Sequence, residues 1–308
     1  MRVFRDWRDL PPDARGATLA LGNFDGVHLG HAAVLRAAHA ARPDAPLGVL
    51  TFEPHPREIF RQDDPPFRLM LAAERADALA ALGCELLFEL PFNHEFSLMT
   101  AESFVGDVLH RGLGARHLTT GADFAFGHRR GGDTEFMAAR AAALGMGIAR
   151  VPAVSDNGGP FSSTRIRRAL QDGYPERATA ELGRPWAIRG PVAHGDKRGR
   201  TIGFPTANVA LGRHLEPARG VYAVTIRVAD GTVYNGVANI GRRPTVNEGP
   251  ESRLEVNLFD FSGDIYDTEI AVSLIAYIRP EIKFSGLDAL RTQIAADAAA
   301  ARHLLETT

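Results

Sequence analysis

The chain has 308 residues, a length that predicts about two domains. Hydrophobic residues make up 45% and charged residues 23%, which is typical of a folded globular protein and argues against disorder. The formal net charge of −2, from 35 basic and 37 acidic residues, does not supply the basic surface that nucleic-acid binding needs. Only Lys197 and Lys283 among the basic residues are lysines, and we interpret the excess of arginine as a coding bias.

The amino terminus and the single cysteine indicate the compartment. The first residues contain no apolar segment typical of a signal peptide. The longest apolar run, residues 271–277, is far shorter than the roughly 20 residues that span a bilayer. Cys84 lies in an apolar segment, which favours a small buried side chain over a reactive thiol. We therefore expect a soluble, cytoplasmic protein with no membrane partner and no nucleic-acid partner.

Short apolar runs alternate with helical patterns in the first half of the chain. The runs predict strands at residues 18–21, 47–52, 85–90, 116–120 and 147–152. The patterns between them predict helices at residues 29–42, 72–82, 100–113 and 133–144. This alternation implies a Rossmann-like parallel sheet with helices on both faces, whose ligands bind beyond the carboxyl ends of the strands. The loop after the first strand is therefore the first candidate site.

The second half is rich in β-type runs with short connections. These runs lie at residues 221–228, 232–240, 254–261 and 270–278, and Asp230-Gly231 predicts a hairpin turn between the first two. Links this short cannot join parallel strands, so we expect an antiparallel sheet, as a small barrel, followed by a helix at residues 287–305. The domain boundary is predicted near Gly183, which gives domains at residues 1–183 and 184–308.

Two histidines, His28 and His31, stand three residues apart at the beginning of the first predicted helix. That spacing puts both imidazoles on one helical face, beside backbone N–H groups that can bind an anion. Gly22, Gly26 and Gly30 allow the backbone to approach a phosphate closely. The pattern favours catalysis of attack on phosphorus, although a histidine pair that only caps the helix explains the spacing equally well. A zinc site is less favoured, because there is no third ligand and no His-Glu-x-x-His pattern.

This segment, LGNFDGVHLGH at residues 21–31, resembles the His-x-Gly-His signature of the nucleotidyltransferases. It is most similar to the form found in bacterial bifunctional riboflavin kinase/FMN adenylyltransferases, also called FAD synthetases. The resemblance implies that His28 and His31 hold the ATP phosphates and stabilise charge at the α-phosphorus. It implies ATP binding by Gly22, Asn23, Phe24, Asp25, His28 and His31.

Three later segments extend the resemblance over the whole first half: TFEPHPR at 51–57, GADFAFG at 121–127 and SSTRIR at 162–167. The second would place a flavin beside Asp123 and Phe126, although its two phenylalanines also fit simple core alternation. The third is a capped helix start with a following arginine, which can cradle an anion. By resemblance, Ser163, Thr164 and Arg167 bind the triphosphate, and Arg167 joins the catalytic group.

A glycine-rich basic segment, HGDKRGRTIGFPTAN at residues 194–208, opens the second half. Its glycines and basic residues could cradle a polyphosphate, but it lacks the Gly-Lys-Ser/Thr ending of a P-loop. The side chains of Thr206 and Asn208 share a face if extended, and their neutral oxygens suit Mg²⁺ that is bound partly through ATP phosphates. A solvated loop with a proline turn is the alternative from the residues alone.

The same segment resembles the riboflavin kinase signature, which implies ATP binding by Gly195, Lys197, Gly203, Thr206 and Asn208, with Mg²⁺ at Thr206 and Asn208. The segment LEVNLFDF at residues 254–261 resembles the strand with the general base, which assigns that role to Glu255. A carboxylate can accept the proton of a primary hydroxyl during phosphoryl transfer. Asn257, where the family often has His, and Asp267, where it often has Gly, depart from the family pattern.

The function implied is therefore two ATP-dependent steps on one chain, with riboflavin, FMN and FAD as substrates and products. Riboflavin would be phosphorylated to FMN, and FMN would attack the α-phosphorus of ATP to give FAD and pyrophosphate. One alternative is an adenylyl- or cytidylyltransferase for another phosphorylated small molecule, which the riboflavin-kinase-like second half disfavours. Another is a flavin-binding regulator that has lost one activity, which the presence of Thr206, Asn208 and Glu255 disfavours.

Overall fold

The computed structural model describes residues 1–193, 205–243 and 251–307. Contacts divide the chain into two compact units. The first consists of Met1–Asp64 and Met70–Ser162, and the second of Pro65–Leu69 and Ser163–Thr308. The predicted boundary near residue 183 stays a prediction for the extent of the functional domains.

The first unit contains a six-stranded sheet in which every paired strand is parallel. The order is β1-β4-β3-β2-β5-β6. The strands are β1 (Arg2–Phe4), β2 (Thr18–Leu21), β3 (Leu47–Glu53), β4 (Leu86–Pro91), β5 (His117–Gly121) and β6 (Gly147–Val151). The direction of strand succession reverses between β2 and β5, and ligands of such sheets bind at the carboxyl ends of the strands at this point. The predicted parallel sheet is confirmed.

Helices cover both faces of this sheet. They are α1 (Leu29–Ala41), α2 (Pro56–Phe60), α3 (Ala72–Ala81), α4 (His94–Ser97), α5 (Ala101–Ser103) and α6 (Thr134–Ala143). Leu19 and Leu21 pack in one core cluster with residues 104–112 and α6, whereas Ala20 packs in another with α1 and α3. Neighbouring residues of a strand point to opposite faces, so this division shows a helical layer on each side. The α-helix predicted at 100–113 continues after α5 as a π-helix, Phe104–Gly112.

Short elements complete the first unit. Two 3₁₀ turns lie at Pro12–Ala14 and His128–Arg130, and a small antiparallel pair consists of β7 (Ser155–Asp156) and β8 (Gly159–Pro160). The edge strand β1 and this pair were absent from the sequence prediction. All three strands have only two or three residues, too few for a period-2 pattern to be recognised.

The second unit contains an antiparallel sheet of six strands in the order β10-β13-β12-β11-β14-β9. The strands are β9 (Trp186–Pro191), β10 (Ala207–Ala210), β11 (Gly220–Arg227), β12 (Val233–Arg243), β13 (Glu251–Leu258) and β14 (Glu269–Arg279). An antiparallel bridge between Ala193 and Asn208 joins the two edges, so the sheet forms a nearly closed barrel. The helices are α7 (Ser163–Gln171), α8 (Pro175–Leu182) and α9 (Leu287–Glu306).

The two faces of the barrel sheet have different partners. Tyr222 and Val224 belong to the large apolar cluster of the unit, whereas Val221 and Ala223 pack with Ala301 of α9 on the opposite face. The predicted antiparallel barrel with a terminal helix is therefore confirmed. Strands β9 and β10 and helix α8 were absent from the sequence prediction.

Candidate active sites

The histidine pair occupies the amino end of α1, directly after the loop that follows β2. His28 is the N-cap residue, and His31 is the third residue of the helix. Each Nδ1 accepts a hydrogen bond of 3.3 Å from the backbone N–H of the other histidine. The two rings stack with their centroids 3.6 Å apart. The predicted pair is thus brought together, and it also caps the helix in a reciprocal capping box.

This arrangement fixes the chemistry of the two rings. Because each Nδ1 is an acceptor, the proton of each neutral imidazole lies on Nε2, which becomes a hydrogen-bond donor. A Cβ at position 30 would lie 2.9 Å from Cε1 and 3.0 Å from Nδ1 of His28, so Gly30 makes room for that ring. His28 is buried and His31 is half-buried. The helix end therefore holds two donors in fixed orientation where α1 begins.

The loop before the histidines is held in place by side chains that are buried in the core. Phe24 has φ +52° and Val27 φ +42°, an unusual conformation for bulky residues, and both side chains are buried. The Oδ1 atom of Asp25, itself buried, accepts a 3.1 Å hydrogen bond from the backbone N–H of Met70. The side chains of Phe24 and Asp25, which were predicted to bind ATP, thus face the core and support the backbone of the loop. Backbone strain of this kind is found where a loop is held in place for binding.

The loop after β3 is anchored by a buried cluster of charges. Arg75, which is 1% exposed, donates from Nη2 to Glu53 at 3.0 Å and to Glu89 at 2.9 Å. At the start of α2, the Nδ1 atom of His55 accepts from the N–H of Arg57, and Glu58 caps the N–H of His55. The segment predicted as the second loop is therefore held by hydrogen bonds on both sides of Pro54, with the carboxylate of Glu53 bound to the buried Arg75.

The predicted flavin-side residues follow β5, the neighbour of β2 at the reversal of strand order. Asp123 is exposed and Phe124 is half-buried. Phe126 is only 8% exposed, and its ring lies 5.4 Å from that of Phe104 and 5.7 Å from that of Phe124. The ring of Phe126 is thus mostly covered by other aromatic side chains. The loop after β5 and the loop after β2 therefore lie at the same edge of the sheet, because the two strands are parallel neighbours.

The predicted triphosphate residues Ser163, Thr164 and Arg167 lie at the start of α7, within the second unit. Ser163 and Arg167 are half-buried, and Thr164 is exposed. The Nε atom of Arg167 donates to the carbonyl oxygen of Phe67 at 2.8 Å, and its guanidinium lies 5.3 Å from the centre of that ring. These contacts orient the side chain of Arg167 before any ligand binds.

The proposed kinase residues meet across the strands of the barrel. Asn208 on β10 and Asn239 on β12 are both direct cross-strand partners of Glu255 on β13. Directly opposite residues share a face, so the three side chains form one row. Asn208 is buried, Asn239 is half-buried and Glu255 is exposed. One carboxylate and two amide side chains thus share a face of the sheet, and a carboxylate there can accept the proton of a hydroxyl.

Both departures from the family pattern lie in the described part of the chain. Asn257 donates from Nδ2 to the carbonyl oxygen of Pro205 at 2.7 Å and so holds the segment that contains Thr206, which is half-buried. Asp267 has φ +58°, in the left-handed region that glycine adopts most readily and aspartate tolerates. The remaining predicted residues of this site, Gly195, Lys197 and Gly203, lie outside the described residues.

Two family models match the chain in succession. The model of FAD synthetase matches residues 10–165, and the model of riboflavin kinase matches residues 182–305. The chain belongs to the bifunctional riboflavin kinase/FMN adenylyltransferase family. A relative of that description from Pseudomonas fluorescens is 42% identical over 99% of this chain and 98% of its own length. One from Bacillus subtilis is 41% identical over 91% and 90% of the two chains.

A crystal structure described as a macrolide-efflux protein from Streptococcus pneumoniae also matches. It has 34% sequence identity and a TM-score of 0.88, and the match covers 98% of both chains. Its described activity differs from that of the curated relatives. The fold of this chain is therefore shared with a solved structure over 98% of its residues.

The family assignment confirms the resemblance found in the sequence, and flavins are the substrates and products of this enzyme class. Sequence reasoning did not single out Asn239, which lies opposite Glu255, or Arg75, which ties Glu53 to the core. Asn239 becomes a neighbour of Glu255 only through the pairing of β12 with β13. In the described part of the chain, no helix is long and apolar enough to cross a membrane. No group of three or more His, Cys, Asp or Glu residues there could hold a metal ion.

Proposed function

We propose that residues 1–183 carry the FMN adenylyltransferase activity and residues 184–308 the riboflavin kinase activity. In the kinase step, the 5′-hydroxyl oxygen of riboflavin attacks the γ-phosphorus of ATP, ADP leaves and FMN forms. In the second step, a phosphate oxygen of FMN attacks the α-phosphorus of another ATP. The bond to pyrophosphate breaks and FAD forms.

His28 and His31 are the proposed catalytic residues of adenylyl transfer. Their Nε2–H groups would donate to ATP phosphate oxygens and stabilise the charge that develops as pyrophosphate leaves. The observation that supports this role is the reciprocal hydrogen bonding of the two Nδ1 atoms, which leaves Nε2 as the donor on both rings. We propose Arg167 as a further triphosphate ligand because a guanidinium suits phosphate geometry. The further ATP and flavin contacts that we propose are Gly22, Asn23, Phe24, Asp25, Ser163, Thr164, Asp123 and Phe126.

The role of Phe24, Asp25 and Phe126 in this site follows from their burial. Phe24 and Asp25 would shape the backbone of the ATP loop, because their side chains are almost inaccessible. Phe126 would present the small exposed part of its ring to the flavin, with the surrounding aromatic rings fixing its plane. Their contribution is to hold the site in one shape before substrate arrives.

Glu255 is the proposed general base of the kinase. It would accept the proton of the 5′-hydroxyl as the phosphoryl group transfers. The position of Asn208 directly opposite Glu255 supports this role, since it brings a carboxylate and an amide oxygen that can bind Mg²⁺ to one face of the sheet. We further propose that Gly195, Lys197 and Gly203 contact ATP, on the strength of the family signature.

Magnesium is the proposed cofactor, bound together with ATP. The neutral oxygens of Thr206 and Asn208 match the ligands of a Mg²⁺ ion that is held mainly by phosphates. When bound, the ion would neutralise charge on the transferring phosphoryl group. We propose that the enzyme acts on soluble small molecules in the cytoplasm, without a nucleic-acid partner, in keeping with its net charge of −2.

The direct test is to incubate the purified full chain with riboflavin and ATP and to separate the flavins by chromatography. With Mg²⁺ present we expect FMN and then FAD, and after chelation with EDTA we expect neither. Unchanged riboflavin in the presence of Mg²⁺ would contradict the kinase assignment. FMN without FAD would contradict the adenylyltransferase assignment, and turnover in EDTA would contradict the magnesium requirement.

A further inference from the structure

A carboxylate from the segment after β14 lies against the kinase face of the barrel. The Oε1 atom of Glu281 is 3.4 Å from the Nδ2 atom of Asn239 on β12. A Cβ at position 241 would lie 2.4 Å from the same Oε1 atom and 3.2 Å from Nδ2 of Asn239. Gly241 is thus the position on β12 where the absence of a side chain allows Glu281 to reach Asn239.

This contact determines which way the amide of Asn239 points. An ionised carboxylate only accepts hydrogen bonds, so the NH₂ group of Asn239 must face Glu281. The carbonyl oxygen, Oδ1, occupies the other branch of the planar amide and points away from Gly241. Without Glu281, the two orientations of the amide would be closer in energy, because both branches could meet solvent.

The oriented amide stands next to the proposed general base. Asn239 and Glu255 are direct cross-strand partners, whose Cβ atoms are about 4.5–5.5 Å apart in such a pair. Both side chains can therefore reach one short polar chain laid across the sheet. Glu255 accepts a proton there, and Asn239 presents a neutral acceptor, so the pair suits two hydroxyl groups on neighbouring carbons.

We infer that Asn239 is a specificity residue of the kinase, which accepts a hydrogen bond from the secondary hydroxyl next to the one that is phosphorylated. Glu281 is the positioning residue that keeps Oδ1 of Asn239 turned toward that hydroxyl. The substrate class is a polyol chain that ends in a primary alcohol, and in riboflavin the hydroxyl is the one on C4′. This inference rests on the proposed kinase function.

The test compares riboflavin with 4′-deoxyriboflavin as kinase substrates of the full chain. A site with an acceptor for a hydroxyl disfavours the analogue that lacks it, and one neutral hydrogen bond corresponds to about a tenfold difference in kcat/KM. We expect wild type to prefer riboflavin by about tenfold. We expect Asn239→Ala to lower kcat/KM for riboflavin about tenfold, to the unchanged value for the analogue, and so to show a preference near one.

The matched control is Asn235→Ala, which removes the same side chain from the same face of β12 at its other end. It should leave the preference at the wild-type value. Kinase activity on the 4′-deoxy analogue, measured on the same preparations, shows that the barrel of each variant is folded. A wild-type preference near one, or an unchanged preference in Asn239→Ala, would overturn the inference.

The role of Glu281 is tested by the same quantity, the ratio of kcat/KM for riboflavin to kcat/KM for 4′-deoxyriboflavin. Glu281→Ala and Gly241→Ala, which displaces the carboxylate, should each reduce the preference toward that of Asn239→Ala. Adding Glu281→Ala to Asn239→Ala should change the ratio no further, because Glu281 acts through the amide. Additive losses would contradict the positioning role. Failure of wild type to phosphorylate riboflavin at all would instead refute the kinase assignment, which keeps the two outcomes distinct.

Discussion

His28 and His31 in the first unit come from one turn of α1, whereas Asn208, Asn239 and Glu255 in the second unit come from three separate strands. The first pair is held by two hydrogen bonds within that turn, each from a backbone N–H group to the Nδ1 atom of the other histidine. The second group is held by the register of two antiparallel strand pairs. The two proposed ATP-dependent sites are thus built by different means.

The difference determines which kind of structural change would disrupt each proposed site. At the histidine site, a change within a few residues alters ring orientation, since the capping box is local. At the barrel site, a shift of one residue in strand pairing would turn Glu255 to the opposite face. The long pairing of β12 with β13, which runs from Gly236–Leu258 to Arg243–Glu251, protects against such a shift.

The largest expected effect is a loss of kinase activity that leaves adenylyl transfer unchanged. Glu255→Gln removes the proposed base, and we expect kcat for riboflavin phosphorylation to fall about 10²- to 10⁴-fold. Formation of FAD from added FMN should stay at the wild-type rate. The control is Glu269→Gln, an exposed glutamate of β14. Loss of both activities in folded Glu255→Gln would contradict independent sites.

The reciprocal change is His28→Ala in the first unit. Removal of one charge-stabilising donor should lower the rate of FAD formation about 10²- to 10³-fold, while riboflavin phosphorylation is retained. His39→Ala, at an exposed position near the end of the same helix, serves as the control. Comparable FAD synthesis by His28→Ala and wild type would refute the proposed role.

A smaller effect should come from Gly30→Ala, which tests the local construction of the histidine site. The added Cβ would lie 2.9 Å from the His28 ring and push it from its position. We expect about a tenfold loss of adenylyl transfer, since small displacements of positioning groups are costly. Gly106→Ala is the comparison, because an added Cβ there meets no atom within 4 Å. Equal rates for the two variants would exclude steric coupling to His28.

The smallest expected effect is on the free energy of unfolding, and it concerns His117 at the amino end of β5. Burial, and secondly the charge of Arg42, lowers the pKa of His117 at the start of β5. The folded pKa lies below the unfolded value of about 6.5, so the contribution to stability is present above that pH and lost below it. Urea unfolding of His117→Gln at pH 7.5 and 5.5 should show a smaller acid-induced decrease than wild type. An equal or larger decrease would contradict this assignment.

Much of the first unit could be predicted from the sequence. The alternation of apolar runs and helical patterns predicted five of the six strands and the parallel sheet, and the glycine-histidine segment predicted the position of the first proposed site. The sequence also identified the family, which the comparisons confirm. The turn to a π-helix after α5 was not predicted, because an α-helix and a π-helix share nearly the same residue preferences.

The sequence by itself identified the family and predicted roles for His28, His31 and Glu255, the last of these through the family resemblance alone. Only the tertiary structure decided how these groups are oriented and what stands beside them. The contact of Glu281 with Asn239 over Gly241 joins strands and segments far apart in the chain. Such contacts depend on strand register, which is settled by packing of the whole sheet and leaves no local pattern.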